Sequence, residues 1–309
     1  MDRHQWIVSD PPHGEVDVNE AAMLLGLAAA DARIKFNFGA PEVWLAYSEE
    51  DQAAAVLNAL RATGLSVRLV PADDLLSVPA PIPVLSLSFA KDGLAADTED
   101  GEVHVPYDTP VIATFCKPPS DFASGDRESP PTRVVARGTI GPRSRNQIVD
   151  RLVGLGHSRS QQDTVDMLER RTNLDLYFPG DGGLRRISIA QGVADLSALG
   201  DGAPPRAGHR MDFCVAECER RLTNLALDKR LVNVRPRRRL TVGGGAPGGI
   251  DRKGFSFGTV GLQDLLKSVS PELVDITQFE LGSRLSFLMR RGDDPTWTRE
   301  GEGATASQG

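Results

Sequence analysis

Three prolines in seven residues, Ser77-Val78-Pro79-Ala80-Pro81-Ile82-Pro83, divide this chain more firmly than any other feature. Each ring fixes its own φ, removes a backbone donor and pushes the residue before it toward extended backbone. Neither a helix nor a central strand can run through such a stretch, so 77–83 reads as an extended linker. Residues 1–76 then form one small module and residues 84–292 a larger one. Residues 293–309, "DDPTWTREGEGATASQG", read as a disordered low-complexity tail.

Inside residues 1–76 strands and helices alternate. Trp6-Ile7-Val8 reads as a strand. Asp17 with Glu20 is an Asp-type capping box, followed by the apolar Ala21, Ala22, Leu24 and Leu25, and Gly26 suits the left-handed position that closes a short helix. Residues 29–36 predict a second helix on Ala32 and Phe36, before Phe38-Gly39-Ala40-Pro41 turns the chain into the strand 43–47. Ser48-Glu49-Glu50-Asp51 is the clearest helix start: Ser48 is placed to cap, and three acids favour the positive end of the macrodipole. Ala53, Val56, Leu57 and Leu60 make one apolar stripe, Gly64 ends the helix, and 65–70 alternate as a half-buried strand. Helices returning between strands imply a small α/β sandwich.

Beyond the linker the punctuation changes. Strand signals at 84–89, 93–95, 102–105 and 111–115, with a turn at Glu99-Asp100-Gly101, make a meander. Residues 118–131, "PPSDFASGDRESPP", read as a mobile loop, 133–140 as a strand and 146–155 as a helix. Residues 173–178 and 184–189 alternate about a tight turn at Asp181-Gly182-Gly183, and 210–222 predict a helix. The expected fold class is α+β: a small α/β-sandwich N-terminal module, then a β-rich domain with C-terminal helices.

Resemblances add to this reading. Leu25-Gly26-Leu27 with Ala32-Arg33, then Pro41, Val43, the acidic helix start, Ala53, Leu57, Leu60, Gly64 and Val67 make residues 15–70 resemble the C-terminal domain of the bacterial ribosomal stalk protein. The resemblance implies a non-catalytic docking module. That family's dimerising segment, hinge and basic docking surface have no counterpart here, so the fold carries over and no binding residue does. Residues 89–114, "FAKDGLAADTEDGEVHVPYDTPVIAT", are similar to openings of pleckstrin-homology-like β-domains. Residues 84–292, with Leu174-Asp175-Leu176-Tyr177 and the later "DKRLVNVRPR", resemble an uncharacterised family of bacterial proteins, which implies organisation and no activity.

Composition and charge narrow the classes. At 40 % apolar but 6 % aromatic residues, the cores have to be mostly aliphatic. No 18 apolar residues run together, the first residues are too polar for a signal peptide, and three cysteines do not make a disulfide framework. These features set the expectation of a cytoplasmic protein without a membrane span. The net charge of −7 is uneven: residues 1–110 hold 18 Asp/Glu against 6 Lys/Arg, while residues 133–239 hold 12 against 20. Opposed halves either face each other or recruit partners of opposite sign.

Few residues offer chemistry. Arg235, Arg237, Arg238 and Arg239 form a guanidinium cluster suited to an anion, a phosphate backbone or an acidic partner, although no aromatics interleave them for base stacking. The run 243–249, "GGGAPGG", lacks the Gly-Lys-Ser/Thr of a phosphate loop and reads as a flexible Gly-rich loop. Cys214 and Cys218, four apart on a predicted helix with His209 nearby, lack the second pair a zinc site wants and read as core packing. The five His follow no catalytic pattern, and no Gly-x-Ser-x-Gly or His-Glu-x-x-His occurs. The expectation is therefore a non-enzymatic interaction or scaffold protein, with no catalytic, cofactor or metal residues assigned. Its acidic N-terminal module would dock a protein partner or the chain's own basic middle. The alternative is a nucleic-acid-binding accessory protein using Arg235, Arg237, Arg238 and Arg239.

Overall fold

The computed structural model describes residues 5–119, 171–180, 182–200, 202–205, 207–234, 278–292 and 297 of the 309. The sequence expectations at 133–140, 146–155, 243–249 and most of 118–131 and 293–309 lie outside them. The chain divides into two compact units, Met1–Val78 with Pro236–Met289, and Pro79–Arg235 with Arg290–Gly309.

In the first unit, β1 (Gln5–Ser9) lies between β2 (Glu42–Tyr47) and β3 (Val67–Pro71), antiparallel to both. Ile7 faces Leu45 and Leu69 across the sheet. On that face pack α1 (Val18–Leu24), α2 (Ala29–Phe36) and α3 (Glu50–Ala62), through Ala21, Ala22, Ala32, Phe36, Leu57 and Leu60. All five β1 residues are buried, so both faces of this central strand are covered. A short helix, α4 (Ala72–Ser77), follows β3. The C-terminal helix α6 (Gln278–Arg291) is placed in this unit as far as Met289, rather than with 84–292. Arg284 explains the attachment: its Nη1 donates to the carbonyls of Leu75 and Val78 at 3.3 and 3.4 Å, while its Nε binds Glu280 at 2.7 Å.

The helix ends follow local chemistry with two departures. Asp17 caps α1 by accepting from the amides of Asn19 and Glu20, both at 3.1 Å. Its own N–H donates to the Thr63 carbonyl at 2.9 Å, so tertiary pairing takes the bond a full capping box would give to Glu20. Ser48 is not the cap of α3. Glu49 holds that position in extended backbone without a side-chain cap bond, its carboxylate accepting instead from Gln52. The acids Glu50 and Asp51 still occupy the first turn, where the macrodipole favours them.

Gly64 is required twice. Its φ is +89°, and a Cβ there would lie 2.0 Å from the Glu15 carbonyl oxygen. We expect Gly64→Ala to destabilise the protein by more than about 2 kcal/mol, read as a lowered urea midpoint.

The second unit holds a seven-stranded sheet. Its strands are β4 (Ile82–Phe89), β5 (Gly93–Thr98), β6 (Gly101–Pro106), β7 (Pro110–Lys117), β8 (Asn173–Gly180), β9 (Gly183–Ala190) and β10 (Asn224–Val232), in the order β10-β7-β8-β9-β4-β5-β6. Two pairings are parallel, β10 with β7 and β4 with β9. The expected meander therefore holds within β4–β6 but is broken at the join to β7. The stretch 77–83 read as a linker is shorter than expected, because Ser77 ends α4 and Ile82 and Pro83 already pair with β9 as the start of β4.

That join shapes the unit. In a flat sheet β6 and β7 would lie five spacings, about 24 Å, apart, yet the link from Pro106 to Pro110 spans at most about 14 Å. The sheet has to curl. Inside the curl, Val84, Leu87, Leu94 and Val105 of one half share a core with Phe115, Leu174, Leu176 and Ile187 of the other. Helix α5 (Ala207–Arg221) adds Met211, Cys214, Val215 and Cys218 at helical spacing.

The end of α5 locks the link. Arg221 donates to the Tyr107 hydroxyl at 3.2 Å and lies over the rings of Phe89 and Tyr107 at 5.2 and 5.9 Å. Thr223 N–H donates to the Tyr107 carbonyl at 2.9 Å. Glu217 braces this clamp, and its bonds from Arg220 and Arg221 hold its carboxyl at about 2 rather than the usual 4.5. A carboxyl depressed in the fold contributes stability above its unfolded pKa and loses it as pH falls through the folded one. Glu217→Gln is therefore expected to be less stable than wild type at neutral pH, with the gap closing between pH 4.5 and about 2. Urea midpoints across that range read the difference.

Candidate functional site

The side-chain contact nearest to catalytic chemistry is in the first unit, where Ser9 Oγ and His13 Nε2 lie 3.4 Å apart. Strand β1 ends at Ser9, and the following loop returns His13 onto the rings of Phe36 and Trp44, at 6.3 and 5.6 Å. A Ser–His nucleophile needs Nε2 free to take the hydroxyl proton, with Nδ1–H held by an acceptor. Here the polarity is reversed. His13 Nδ1 accepts the Ser66 amide at 3.2 Å, which leaves Nε2 protonated and donating to Ser9. Burial lowers the His13 pKa below 6.5 against the pull of Asp10, so the neutral ring is the one the fold keeps. In this arrangement His13 is a hydrogen-bond bridge, not a base for Ser9.

A second concentration of polar groups lies on one face of β10, β7 and β8. Asp228, Thr114 and Asp175 stand side by side across the three strands, all buried. Arg186 on β9, 1 % exposed, reaches Asp175 with a 2.7 Å Nη2–Oδ2 bond and lies 5.1 Å from the Tyr177 ring. Asp228 is forked by Arg230, whose Nη2 approaches Oδ2 to 2.6 Å, with Arg290 at 3.6 Å. Burial pushes the Asp228 carboxyl up, but the Arg230 bonds and the charges of Arg230 and Arg290 outweigh it and hold the group below the usual carboxylate range. A carboxylate so held stays ionised at neutral pH and does not shuttle protons.

This row is a structural polar layer by its bonding. We expect Asp175→Asn to lose about 3–5 kcal/mol, because it strips the counter-charge from a buried guanidinium. The Thr114 hydroxyl is buried with no hydrogen-bond partner among the described residues. Thr114→Val should therefore be neutral or stabilising, by up to about 1 kcal/mol. Urea denaturation of both variants separates the two cases.

Cys214 and Cys218 face the core of the second unit, while His209 is exposed. The bond to Cys214 and burial together push the Cys218 thiol well above its usual range, making it a poor ligand or nucleophile at neutral pH. Among the described residues there is no group of three metal-ligating side chains, and no helix is long and apolar enough to cross a membrane. Arg235, Arg237, Arg238 and Arg239 lie outside the described residues.

The helical layer of the first unit presents a different kind of surface. Met23 on α1 and Ile34 on α2 are the large exposed hydrophobics among the described residues, at 74 % and 68 %. Each lies on its helix away from the core-facing Ala22 and Ala32. The exposed charges on and beside these helices are Glu15, Asp17, Glu20 and Asp31, against Arg33. Neither the capping pattern nor the apolar stripe marked these two side chains, because both signals select residues that point inward. No protein-family model, curated protein or solved structure matches this chain.

Proposed function

We propose that this chain is a non-catalytic interaction protein whose acidic N-terminal unit docks a basic protein partner on the outer side of α1 and α2. The exposure of Met23 and Ile34 on a helix pair whose exposed charges are Glu15, Asp17, Glu20 and Asp31 against Arg33 carries the reading. Apolar side chains left in water on an otherwise charged helix pair gain by being covered, and the surrounding carboxylates select the sign of what covers them. The reversed Ser9–His13 bond and the paired Asp175 and Asp228 support a non-catalytic role for the groups that would otherwise suggest chemistry. The nucleic-acid alternative at Arg235, Arg237, Arg238 and Arg239 rests on sequence alone.

A fluorescent amphipathic helical peptide of Leu and Lys is the probe. The full chain should bind it with an affinity that falls as salt rises. Met23→Asp with Ile34→Asp should abolish binding, and a matched Leu–Glu peptide should bind at least about tenfold more weakly. Binding that ignores these substitutions, or that favours the acidic peptide, overturns the proposal.

A further inference from the structure

We infer that the loop of residues 10–16 is an acid-released latch, in which protonation of His13 turns its acceptor for the Ser66 amide into a donor and frees the loop from the α3–β3 turn. This inference stands apart from the docking reading and needs no partner.

The loop is held by a short ladder. Asp10 N–H donates to the Ser66 carbonyl at 2.9 Å, Gly14 N–H to the Gly64 carbonyl at 3.2 Å, and Asp17 N–H to the Thr63 carbonyl at 2.9 Å. The Ser66 amide donates outward to His13 Nδ1 at 3.2 Å. Of these four bonds only the last ends on an acceptor that titrates near neutral pH. A proton on Nδ1 sets N–H against N–H, and the bond is lost rather than weakened.

The surroundings decide whether the imidazolium would be tolerated. Asp10, on the same loop, favours it, but that carboxylate is already bound by Arg68 Nε on β3 at 2.8 Å. On the ring side, the Lys35 ammonium lies 5.6 Å over Trp44 and 3.3 Å from Glu42. A second cation against Trp44 therefore meets one already in place. Burial adds to this, and the net displacement of His13 is downward from 6.5. The sign follows. A base that the fold prefers neutral leaves stability complete above its unfolded pKa, and that stability is lost as pH falls from 6.5 through the lower folded value. The consequence reaches past the loop, since His13 also packs edge-on against Phe36, the last residue of α2.

The test is an NMR titration of the intact chain, following the His13 ring and the amide protection factors of Ser66 and Gly14. The His13 midpoint should lie below 6.5, and Ser66 and Gly14 should lose protection about tenfold or more along the same curve, while Ile7 in β1 does not. His13→Asn puts a non-titrating carbonyl where Nδ1 stands, and should keep Ser66 protected down to about pH 5. Asp10→Asn should move the wild-type step to lower pH. A His13 titration that leaves Ser66 protection unchanged overturns the latch, as does an identical step in His13→Asn. The wild-type curves decide the matter even if that variant fails to fold.

Discussion

Tyr107, Asp108 and Thr109 have to connect two strands that stand five places apart in the order of their sheet, and much of the second unit follows from that demand. The curl it forces creates an inside, where aliphatic side chains from both halves meet and α5 closes the space. A link this short carries little apolar area of its own, so it is held by bonds. The Tyr107 hydroxyl donates to the Ala90 carbonyl at 2.7 Å and accepts from Arg221, and Asn224 Nδ2 donates to the Asp108 carbonyl at 2.7 Å. Asn224, which binds the link, is also the first residue of β10, so that bond helps set where the strand begins to run beside β7.

The first unit solves a smaller version of the same problem. A three-stranded sheet has one central strand, and β1 is so short that every residue in it is buried. Nothing in β1 is left to make polar contacts with solvent, so the chain leaving it is ordered by pairing with the α3–β3 turn. Gly64 lets the two backbones approach, and His13 supplies an acceptor where a strand would have supplied a carbonyl.

Local chemistry made much of this legible in sequence. Asp17, Gly26 and Gly64 mark helix ends because caps and left-handed glycines act within a few residues. The strands at 84–89, 102–105 and 173–178 are recognisable because apolar and polar residues alternate along most of each in the sequence, although of the three only 102–105 also alternates in burial. What sequence did not show is what covers each face. Leu174-Asp175-Leu176-Tyr177 alternates as if Asp175 and Tyr177 faced water, yet both are buried. The β8–β9 hairpin register sets Tyr177 opposite Arg186 and Asp175 one step away, so a diagonal pair of opposite charge was there to be found once the turn was fixed. Strand β10 gives no clear strand signal in the sequence, because Asp228, Lys229 and Arg230 in its middle read like a polar loop. Met23 and Ile34 escaped notice for the opposite reason: an outward apolar residue breaks the pattern by which helices are recognised.

The charge asymmetry read from sequence also changes meaning once bonds are known. Counted by type, residues 133–239 are the strongly basic part of the chain. Among the described residues of the second unit, Arg186 is bound to Asp175, Arg230 to Asp228, Arg220 and Arg221 to Glu217, Lys229 to Glu219 and Lys117 to Asp212. Ion pairs cancel most of each other's field beyond a few ångströms, and salt screens the remainder. Among the described residues around the first unit's helices, exposed acids outnumber exposed bases, of which Arg33 and Arg61 are two. Arg68 binds Asp10 and Lys35 binds Glu42, while Glu15, Glu20, Asp31, Glu50 and Asp51 stand exposed around the helices. A field survives where one sign outnumbers its local counter-charges, and among the described residues the acidic helical layer is such a place, the same layer that leaves Met23 and Ile34 in water.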